Sequence, residues 1–507
     1  MNKGHVVSNV KGMGSFQIPN SSIIVIFGAS GDLAHKELLP ALFALYCLNF
    51  LPKKFSIIGF DRKEFDIKSY RDEMKNAVEK VKSCEDAKWK SFADNLYYVQ
   101  GDFVKKPEES FKNLSSQIQK IQSEKNISDN VLFHLAVSPL FYSKVIHELG
   151  ESYLSKSENG WRRIIIEKPF GWDEKSAREL DKEIHKVFRE DQIFRVDHFL
   201  GKETVQNMLV FRFANPGYEP IWNRNYIDSI QITVSEDIGI GTRAAFYEKI
   251  GIMRDMIQNH LFQLMCITAI EPPVNYNANS LRSETLQVLE AVCEIKKEDI
   301  VFGQYDSGEV KGEKVQAYRK ENNVSTTSET PTYAALRIYL DNWRWAGVPF
   351  YLRSGKRLNK KLTEVRIKFK PTPHLMFPLD KGKEKEHNVL TFQIQPNEGI
   401  YYKFTAKKPG ATLDLTPVDM NFEYATAFGI DEPPNAYQWL IYDALIGDQT
   451  LFPTADWIYK AWSLLDPIIS EWEKKPWIKF PNYKSGSWGP KEADKLIQED
   501  NRKWSIQ

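Results

Sequence analysis

The sequence predicts an α/β fold followed by a larger α+β unit, and three observations lead to this prediction. Between residues 20 and 200, short β-branched runs alternate with charged, helix-like stretches, which is typical of a doubly wound parallel sheet. After about residue 200, the strand candidates alternate apolar and polar residues, as in a mostly antiparallel sheet with one face covered. The length of 507 residues suits two or three domains. We therefore expect a flexible arm over 1–20, one domain over 21–200 and a second over 201–507.

The first strand candidate is a continuous β-branched run from Ile23 to Phe27, of the kind buried on both faces of a sheet. Helical spacing follows from Leu38 to Tyr46. Glycines in a turn between strand and helix let the backbone approach a pyrophosphate, and the first N–H groups of the helix bind it. The turn therefore predicts a dinucleotide site, against the alternative of a tight turn found in any α/β protein. Its residues are Gly28, Ala29, Ser30, Gly31, Asp32 and Leu33.

The remaining elements follow from apolar periodicity. The other strands expected in the first domain are 55–61, 95–103, 131–138, 162–171 and 193–199, with helices over 70–90 and 109–125. In the second domain we expect strands at 226–235, 334–340, 364–369, 389–394 and 401–405, helices at 252–270 and 439–445, and a polar loop at 320–332.

Composition excludes several classes of protein. Lys and Arg number 68 against 67 Asp and Glu, so a global basic field for nucleic acid is absent. No apolar run approaches the roughly 18 residues of a membrane span, and the N-terminus lacks the apolar core of a signal peptide. Four widely spaced cysteines without a CxxC pair argue against structural zinc or a disulfide framework. We expect a cytoplasmic protein that binds neither nucleic acid nor a membrane.

Cofactor choice depends on the residues that end the second strand, namely Asp61, Arg62 and Lys63. An acidic side chain there holds the ribose hydroxyls of NAD, whereas Arg or Lys pairs with the 2′-phosphate of NADP. The sequence offers both kinds of residue, and a solvated charged loop is the simpler alternative.

Two further strand ends carry polar groups toward the crevice of the predicted sheet. Lys168 lies in Glu167-Lys168-Pro169-Phe170-Gly171, where a lysine can hydrogen-bond a sugar hydroxyl. Asp197 ends the next strand, and His198 and Lys202 are expected on one face of a following helix. Two cationic donors near a helix N-terminus suit a phosphate. The alternatives are an ordinary turn in the first case and helix capping by Asp197 in the second.

His260 lies on the apolar stripe of the helix predicted over 252–270. By itself this position favours a histidine buried in the core over a catalytic one. The functional interpretation is a general base oriented by a carboxylate, for which Asp197 is the candidate. The stretch 353–361 carries five positive charges and is either a phosphate or sugar clamp or a solvated, polyanion-binding loop.

These motifs, in this order, resemble the glucose-6-phosphate dehydrogenase family. The resemblance covers roughly residues 20–505, and an RxDHxLGKE motif with a distant RDMxQNH is a specific combination. The motifs are GASGDLA (28–34), EKPFG (167–171), RVDHFLGKE (195–203), RFANPGYEPIWNR (212–224), GIMRDMIQNHLFQ (251–263), YLRSGKRL (351–358) and QPNEGIYYKF (395–404).

The resemblance implies oxidation of glucose 6-phosphate at C1 to the 6-phosphogluconolactone, with hydride transfer to NADP and no metal. It also implies a Rossmann-like domain, a β+α domain whose large sheet makes a dimer interface, and a homodimer or homotetramer. His260 would take the C1 hydroxyl proton, with Asp197 supporting it. The resemblance further implies sugar contacts from Lys168, Glu236, Asp255, Lys356 and Gln395, phosphate contacts from His198, Lys202 and Lys361, and cofactor contacts from the glycine-rich turn (Gly28 to Leu33), Arg62 and Lys168.

Some positions depart from the family pattern. Phe199 stands where the family usually has Tyr, so one hydroxyl to the substrate phosphate is missing and weaker substrate binding is expected. Glu37 stands where a lysine is frequent, and with Asp61 beside Arg62 it leaves exclusive use of NADP open. Arg62 favours NADP. Some members hold a second, structural NADP, and Arg366, Tyr401, Lys403 and Trp504 resemble parts of that site, although Gln393 replaces an arginine there.

Three other functions compete with this interpretation. A dehydrogenase for another sugar phosphate would keep the same phosphate-binding group. A dinucleotide-sensing or scaffolding protein would have lost the base or the sugar site, yet Asp197, His260, Lys168 and Asp255 are all present. A nucleic-acid binder would use the stretch 353–361, but near-zero net charge and the lack of interleaved aromatic residues argue against it.

Overall fold

The computed structural model describes residues 17–81, 85–377, 387–429 and 434–505. Most of the expected N-terminal arm, and Cys84, lie outside these residues. The described strands are β1 Ser22–Phe27, β2 Phe55–Asp61, β3 Leu96–Gln100, β4 Val131–Leu135, β5 Arg162–Ile166, β6 Ile193–Arg195, β7 Ile227–Ser235, β8 Ile300–Gly303, β9 Tyr305–Asp306, β10 Gly308–Val310, β11 Glu313–Val315, β12 Tyr333–Ile338, β13 Phe350–Gly355, β14 Leu362–Phe369, β15 Val389–Gln395, β16 Gly399–Lys407, β17 Leu415–Glu423 and β18 Tyr483–Lys484.

The α-helices are α1 Leu39–Cys47, α2 Ile67–Glu79, α3 Asp86–Ala93, α4 Pro107–Lys125, α5 Tyr142–Glu151, α6 Glu174–His185, α7 Glu203–Phe213, α8 Ala244–Ile252, α9 Phe262–Ala269, α10 Ala278–Glu290, α11 Tyr424–Phe428, α12 Ala436–Ile446, α13 Ala455–Lys474 and α14 Lys491–Gln498. Two segments are π-helical, Ala34–Leu38 before α1 and Met253–Leu261 before α9. No helix in the described ranges combines the length and the apolarity needed to cross a membrane.

The first sheet has the order β3-β2-β1-β4-β5-β6, and all of its strands are parallel. This confirms the predicted doubly wound α/β fold, with each strand beginning or lying where the sequence places it. The strand order reverses between β1 and β4, which opens a crevice at the carboxyl ends of the strands. One expected helix differs, because residues 70–90 belong to two helices, α2 and α3, instead of one.

The second sheet has the order β17-β16-β15-β14-β7-β13-β12-β8. Its neighbours are antiparallel except for the parallel pair β7 and β13, so the predicted mostly antiparallel sheet is confirmed. The expectation of one covered face is wrong at the centre, where β7, β13 and β14 are buried on both faces. Segment 253–261 packs against one side of these strands, and on β7 Gln231 Nε2 donates to the carbonyl of Lys503 near the C-terminus.

Some elements were not expected from the sequence. Strands β13 and β17 and the long helix α13 fall in stretches without a clear period, and α13 contains Pro467. Arg353 lies in β13 and Lys356 directly follows it, and both are fully buried. The interpretation of 353–361 as a solvated loop is therefore wrong for these two residues.

Residues of both sheets belong to one continuous hydrophobic core. Helices α12 and α13 of the C-terminal part pack against α1 and α6. In addition, Arg163 of β5 donates to the carbonyls of Ala444 and Leu445. The two sheets are thus held in a fixed relation, and the crevice lies between them. The division of the chain at residue 200 stays a prediction.

Candidate active site

A cleft of about 840 Å³ opens between the carboxyl ends of the first sheet and one end of the second, and we call it the central cleft. Its volume suits a small ligand together with part of a cofactor. The sequence-predicted residues that line it are Asp32, Leu33, Lys168, His198, Lys202, Glu236, Asp255, His260, Lys361 and Gln395. Asp197 and Lys356 lie behind this wall, and the structure thus brings together groups that the chain spreads from residue 32 to residue 395.

Asp197 and His260 form a buried hydrogen-bonded pair. The Asp197 Oδ1 to His260 Nδ1 distance is 2.5 Å, and the two residues are 3% and 1% exposed. The same Asp197 oxygen accepts from the backbone N–H of Phe199. With Nδ1 on the carboxylate, Nε2 is the nitrogen of His260 left for the cleft. This is the geometry of an oriented general base, the functional alternative of the sequence analysis.

Local backbone structure sets the orientation of the helical segment that carries His260. Gly251 breaks the helical backbone within the last turn of α8, just before the π-helical segment, with φ 60° and ψ 179°. The wider winding of Met253–Leu261 places Asp255 and His260 on the same cleft. Phe199 then stacks on the His260 ring, with centroids 4.2 Å apart and planes 18° apart.

Burial lowers the pKa of His260, and the nearby Asp197 carboxylate opposes this only in part. Burial also lowers the pKa of His198 far below its ordinary value, with further contributions from His260, Lys168 and Lys202. The lowered pKa favours the neutral form of His198, in which the ring contributes a hydrogen-bond donor. Both imidazoles line the cleft, with ring centroids 4.6 Å apart.

The predicted sugar contacts form one network of charges. Lys168 Nζ donates to Asp255 at its carbonyl (2.8 Å) and at Oδ1 (3.2 Å). Lys356 Nζ donates to Glu236 (2.5 Å) and lies 3.3 Å from Asp255 Oδ2. Burial alone would raise the pKa of Asp255, but the charges of Lys168 and Lys356 outweigh it and lower that pKa. Lys356 thus holds two carboxylates from behind, and Glu236, Asp255 and Lys168 face the cleft.

The predicted phosphate contacts line the same cleft. Lys202 Nζ donates to Gln395 Oε1 at 3.0 Å, and Gln395 in turn donates to Thr363. Burial lowers the pKa of Lys202. The expected helix position of His198 and Lys202 is wrong, because α7 begins at Glu203 and residues 198–201 form turns before it. These turns still bring both side chains to the cleft.

The glycine-rich turn has the close packing that a pyrophosphate site needs. Gly28 has φ 84°, and a Cβ there would lie 2.5 Å from the carbonyl oxygen of Ala136. Asp61 Oδ2 accepts from the N–H (3.0 Å) and hydroxyl (2.8 Å) of Ser30, and its Oδ1 accepts from the N–H of Arg62. The Asp61 carboxylate is therefore engaged by the turn, whereas the Arg62 side chain is exposed.

Sequence reasoning missed several residues of the site. Glu167 is buried beside Lys168 and accepts from Tyr437 (3.0 Å), and His134 Nε2 lies 2.9 Å from its other oxygen. Tyr437 also lies parallel to His198, with ring centroids 6.3 Å apart. Glu37, already noted as unusual, accepts from Asn435 at 2.6 Å. Tyr437 and Asn435 lie at the start of α12, far along the chain, so no local pattern could have found them.

Asp197, His198 and His260 each place one ligand atom within 4.8 Å of the others. Two imidazoles and a carboxylate are a donor set that Zn²⁺ accepts. Here, however, Asp197 and His260 bond each other through Oδ1 and Nδ1, as a base and its orienting carboxylate do. The arrangement therefore fits proton transfer without a metal.

Two family models match nearly the whole described chain. "Glucose-6-phosphate dehydrogenase, NAD binding domain" matches residues 25–207, and "Glucose-6-phosphate dehydrogenase, C-terminal domain" matches residues 209–505. The chain belongs to the glucose-6-phosphate dehydrogenase family. This confirms the family predicted from the motifs, and with it the two-part fold.

Relatives within the glucose-6-phosphate dehydrogenase family are similar over their full length. The glucose-6-phosphate 1-dehydrogenase of Aggregatibacter actinomycetemcomitans is 44% identical over 95% of this chain and 96% of its own. That of Bacillus subtilis (strain 168) is 39% identical over 95% and 98%. A solved glucose-6-phosphate dehydrogenase in complex with its substrate glucose-6-phosphate has a TM-score of 0.88 at 34% identity, covering 97% of this chain and 99% of that one. The chain is thus an oxidoreductase of the glucose-6-phosphate dehydrogenase family.

Proposed function

We propose that this protein oxidises glucose 6-phosphate at C1 to 6-phosphoglucono-1,5-lactone with hydride transfer to NADP, the first step of the oxidative pentose phosphate pathway. The observation that carries the proposal is the Asp197–His260 pair on the wall of a cleft that also holds Lys202 and Lys361. The full-length similarity to glucose-6-phosphate 1-dehydrogenases supports it.

His260 acts as the general base. Its Nε2 takes the proton of the C1 hydroxyl, and Asp197 fixes the ring through Nδ1 and stabilises the imidazolium that forms. A bound NADP would supply the acceptor for the hydride that leaves C1. Burial keeps the charges of the pair out of water, and the lower dielectric strengthens their interaction.

Two groups of residues in the central cleft bind the two ends of the substrate. Lys168, Glu236 and Asp255 hold the sugar hydroxyls. Lys356 holds the two carboxylates in place and helps to keep Asp255 ionised. Gln395 completes the sugar site from the end of β15. Lys202 and Lys361 provide positive charge for the phosphate, and His198 adds a neutral donor.

The residues at the end of β2 fit NADP. The turn from Gly28 to Leu33 binds the pyrophosphate, and its serine already occupies the Asp61 carboxylate. Asp61 is then a poor partner for the ribose hydroxyls of NAD, whereas the exposed Arg62 is free to pair with a 2′-phosphate. Lys168 would contact the cofactor as well as the sugar.

Absorbance at 340 nm with glucose 6-phosphate tests the function, with NADP and NAD compared in wild type, His260→Asn and His147→Asn. Turnover with NADP should fall by about 10²–10⁴-fold in His260→Asn, the range of general base catalysis. His147 is an exposed histidine away from the cleft, so its variant should keep full activity. Equal turnover with NAD would contradict the cofactor choice. Folded protein without turnover would contradict the substrate and favour another sugar phosphate or a sensing role.

Association into a homodimer, or a homotetramer built from it, is part of the proposal. The edge of the second sheet supports it, because β17 lies unpaired on one side in the described structure and carries exposed apolar residues such as Met420. The cytoplasm is the compartment we propose, supported by the free thiols of Cys266 and Cys293.

A further inference from the structure

A small cavity lies beside Asp197, which lines this cavity but not the central cleft. Its volume is about 30 Å³, which is room for one water molecule. Its lining includes Arg195 and Asp197 from the end of β6, and Gln263 from α9. Gln263 follows His260 by three residues, so it lies near the imidazole on the same helix. Neither Arg195 nor Gln263 lines the central cleft.

Among the residues that line this cavity, four have a buried polar atom with no hydrogen-bond partner in the described ranges. One is Trp457 Nε1, which interacts with the Cys266 thiol. The other three atoms are Asp197 Oδ2, Gln263 Nε2 and Arg195 Nε. The three residues are 3%, 3% and 1% exposed. Other groups of Arg195 are engaged, since NH1 and NH2 bond Glu190 and Asp181. A buried polar atom without a partner costs about 1–3 kcal/mol, so three together demand an explanation.

The three atoms are complementary to a single water molecule. Gln263 Nε2 and Arg195 Nε are donors, and Asp197 Oδ2 is an acceptor. Water can accept two hydrogen bonds and donate two. The other charged groups on the cavity do not compete for it, because Glu167 is bonded by His134 and Tyr437, and Lys168 donates to Asp255.

We propose that one water molecule occupies this cavity, accepts from Gln263 Nε2 and Arg195 Nε, and donates to Asp197 Oδ2. The bridge solvates the carboxylate oxygen that His260 does not use, and it fixes the plane of the carboxylate so that Oδ1 stays on Nδ1. Gln263 is then a positioning residue that acts on His260 through the water and Asp197. The kinetic part of this proposal rests on the proposed role of His260 as the general base.

A crystal structure of the full chain at high resolution tests the water itself, independently of activity. The expected result is a density peak within about 3.2 Å of Asp197 Oδ2, Gln263 Nε2 and Arg195 Nε. An empty cavity would overturn the proposal, and so would a Gln263 amide bonded directly to Asp197.

Kinetics of Gln263→Met test the positioning role. Methionine keeps the length of the side chain but removes the donor, so kcat should fall about tenfold, the loss of one hydrogen bond to a charged group. KM for glucose 6-phosphate should change less than about twofold, because Gln263 does not touch the cleft.

Gln304→Met is the matched control. Gln304 is a buried amide bonded to Ser328 and Thr330, and its loss should lower stability but not kcat. An unchanged kcat in folded Gln263→Met would overturn the role, whereas an inactive wild type would instead overturn the proposed function.

Discussion

The chemistry proposed for His260 depends on its surroundings. A histidine on an apolar stripe is ordinarily a core residue, and the sequence alone could not distinguish the two roles. The contact that distinguishes them is the hydrogen bond to Asp197, 63 residues earlier in the chain. In addition, His260 lines the central cleft. Burial disfavours the imidazolium, and Asp197 favours it, so the base is neutral at rest and stabilised once it is protonated.

This balance predicts the acid limb of the pH profile. A base must be deprotonated to act, so kcat/KM is lost as the pH falls through the pKa of His260 in the free enzyme. Because that pKa is lowered, the limb should lie below the ordinary value of 6.5. Asp197→Asn removes a group that raises this pKa, so its residual activity should show a limb at still lower pH. Initial rates between pH 4.5 and 8 with NADP measure both, and a wild-type limb above 6.5 would contradict the prediction.

Phe199 predicts a second effect at the residue scale. The ring already stacks on His260, so a hydroxyl added at its tip leaves that contact in place. Phe199→Tyr should therefore lower KM for glucose 6-phosphate by about 2–10-fold, the equivalent of one neutral hydrogen bond, and leave kcat nearly unchanged. Phe199→Leu is the companion variant, which loses the stack and should lower kcat. If KM is unchanged in Phe199→Tyr, the missing hydroxyl has no part in phosphate binding.

At the scale of elements, the sequence predicts best what local chemistry determines. The strands of the first sheet are continuous apolar runs that end in Gly, Pro or charged residues, so their positions are confirmed. Strand β13 was missed because Arg353 and Lys356 make a buried strand end resemble a charged loop. Burial of Lys356 is compensated by Asp255 and Glu236, and Arg353 donates to Thr233 and lies over the ring of Trp504. The π-helical winding of Met253–Leu261 likewise has no signature in the spacing of apolar residues.

The backbone break at Gly251 should matter for both stability and activity. Its φ of 60° with ψ of 179° is a conformation essentially restricted to glycine, although a Cβ would have space, 3.4 Å from Thr330. Gly251→Ala should therefore lower the free energy of unfolding by about 1–3 kcal/mol. It should also lower kcat, because the helix with Asp255 and His260 begins at this break. Urea unfolding and initial rates measure the two effects. Gly217→Ala, at an exposed glycine with open space around it, should change neither.

At the scale of the whole molecule, the site exists because the carboxyl ends of the first sheet face one end of the second. The sequence predicted the residues that stand at those ends, since strand ends are recognisable in a parallel sheet. It could not predict the groups that reach the site from remote segments, such as Tyr437 of α12 behind Glu167 or Gln263 behind Asp197. Such contacts depend on the packing of the two parts, which Lys168–Asp255 and Arg163–Ala444 hold together.

The exposed edge of the second sheet gives the prediction for the assembly. On one face of β16 and β17, Tyr402 lies opposite Met420, and Met420 is 60% exposed. The ring of Tyr402 also stacks on that of Phe404. An apolar strand edge of this kind is stabilised by a second copy of the chain. Met420→Asp should therefore raise the dissociation constant of the dimer roughly 30-fold, the effect of one interface hot spot. Sedimentation equilibrium at micromolar protein measures it, with Asn421→Asp as control, because that neighbouring side chain points to the opposite face. A wild type that stays monomeric throughout this range would contradict the proposed self-association.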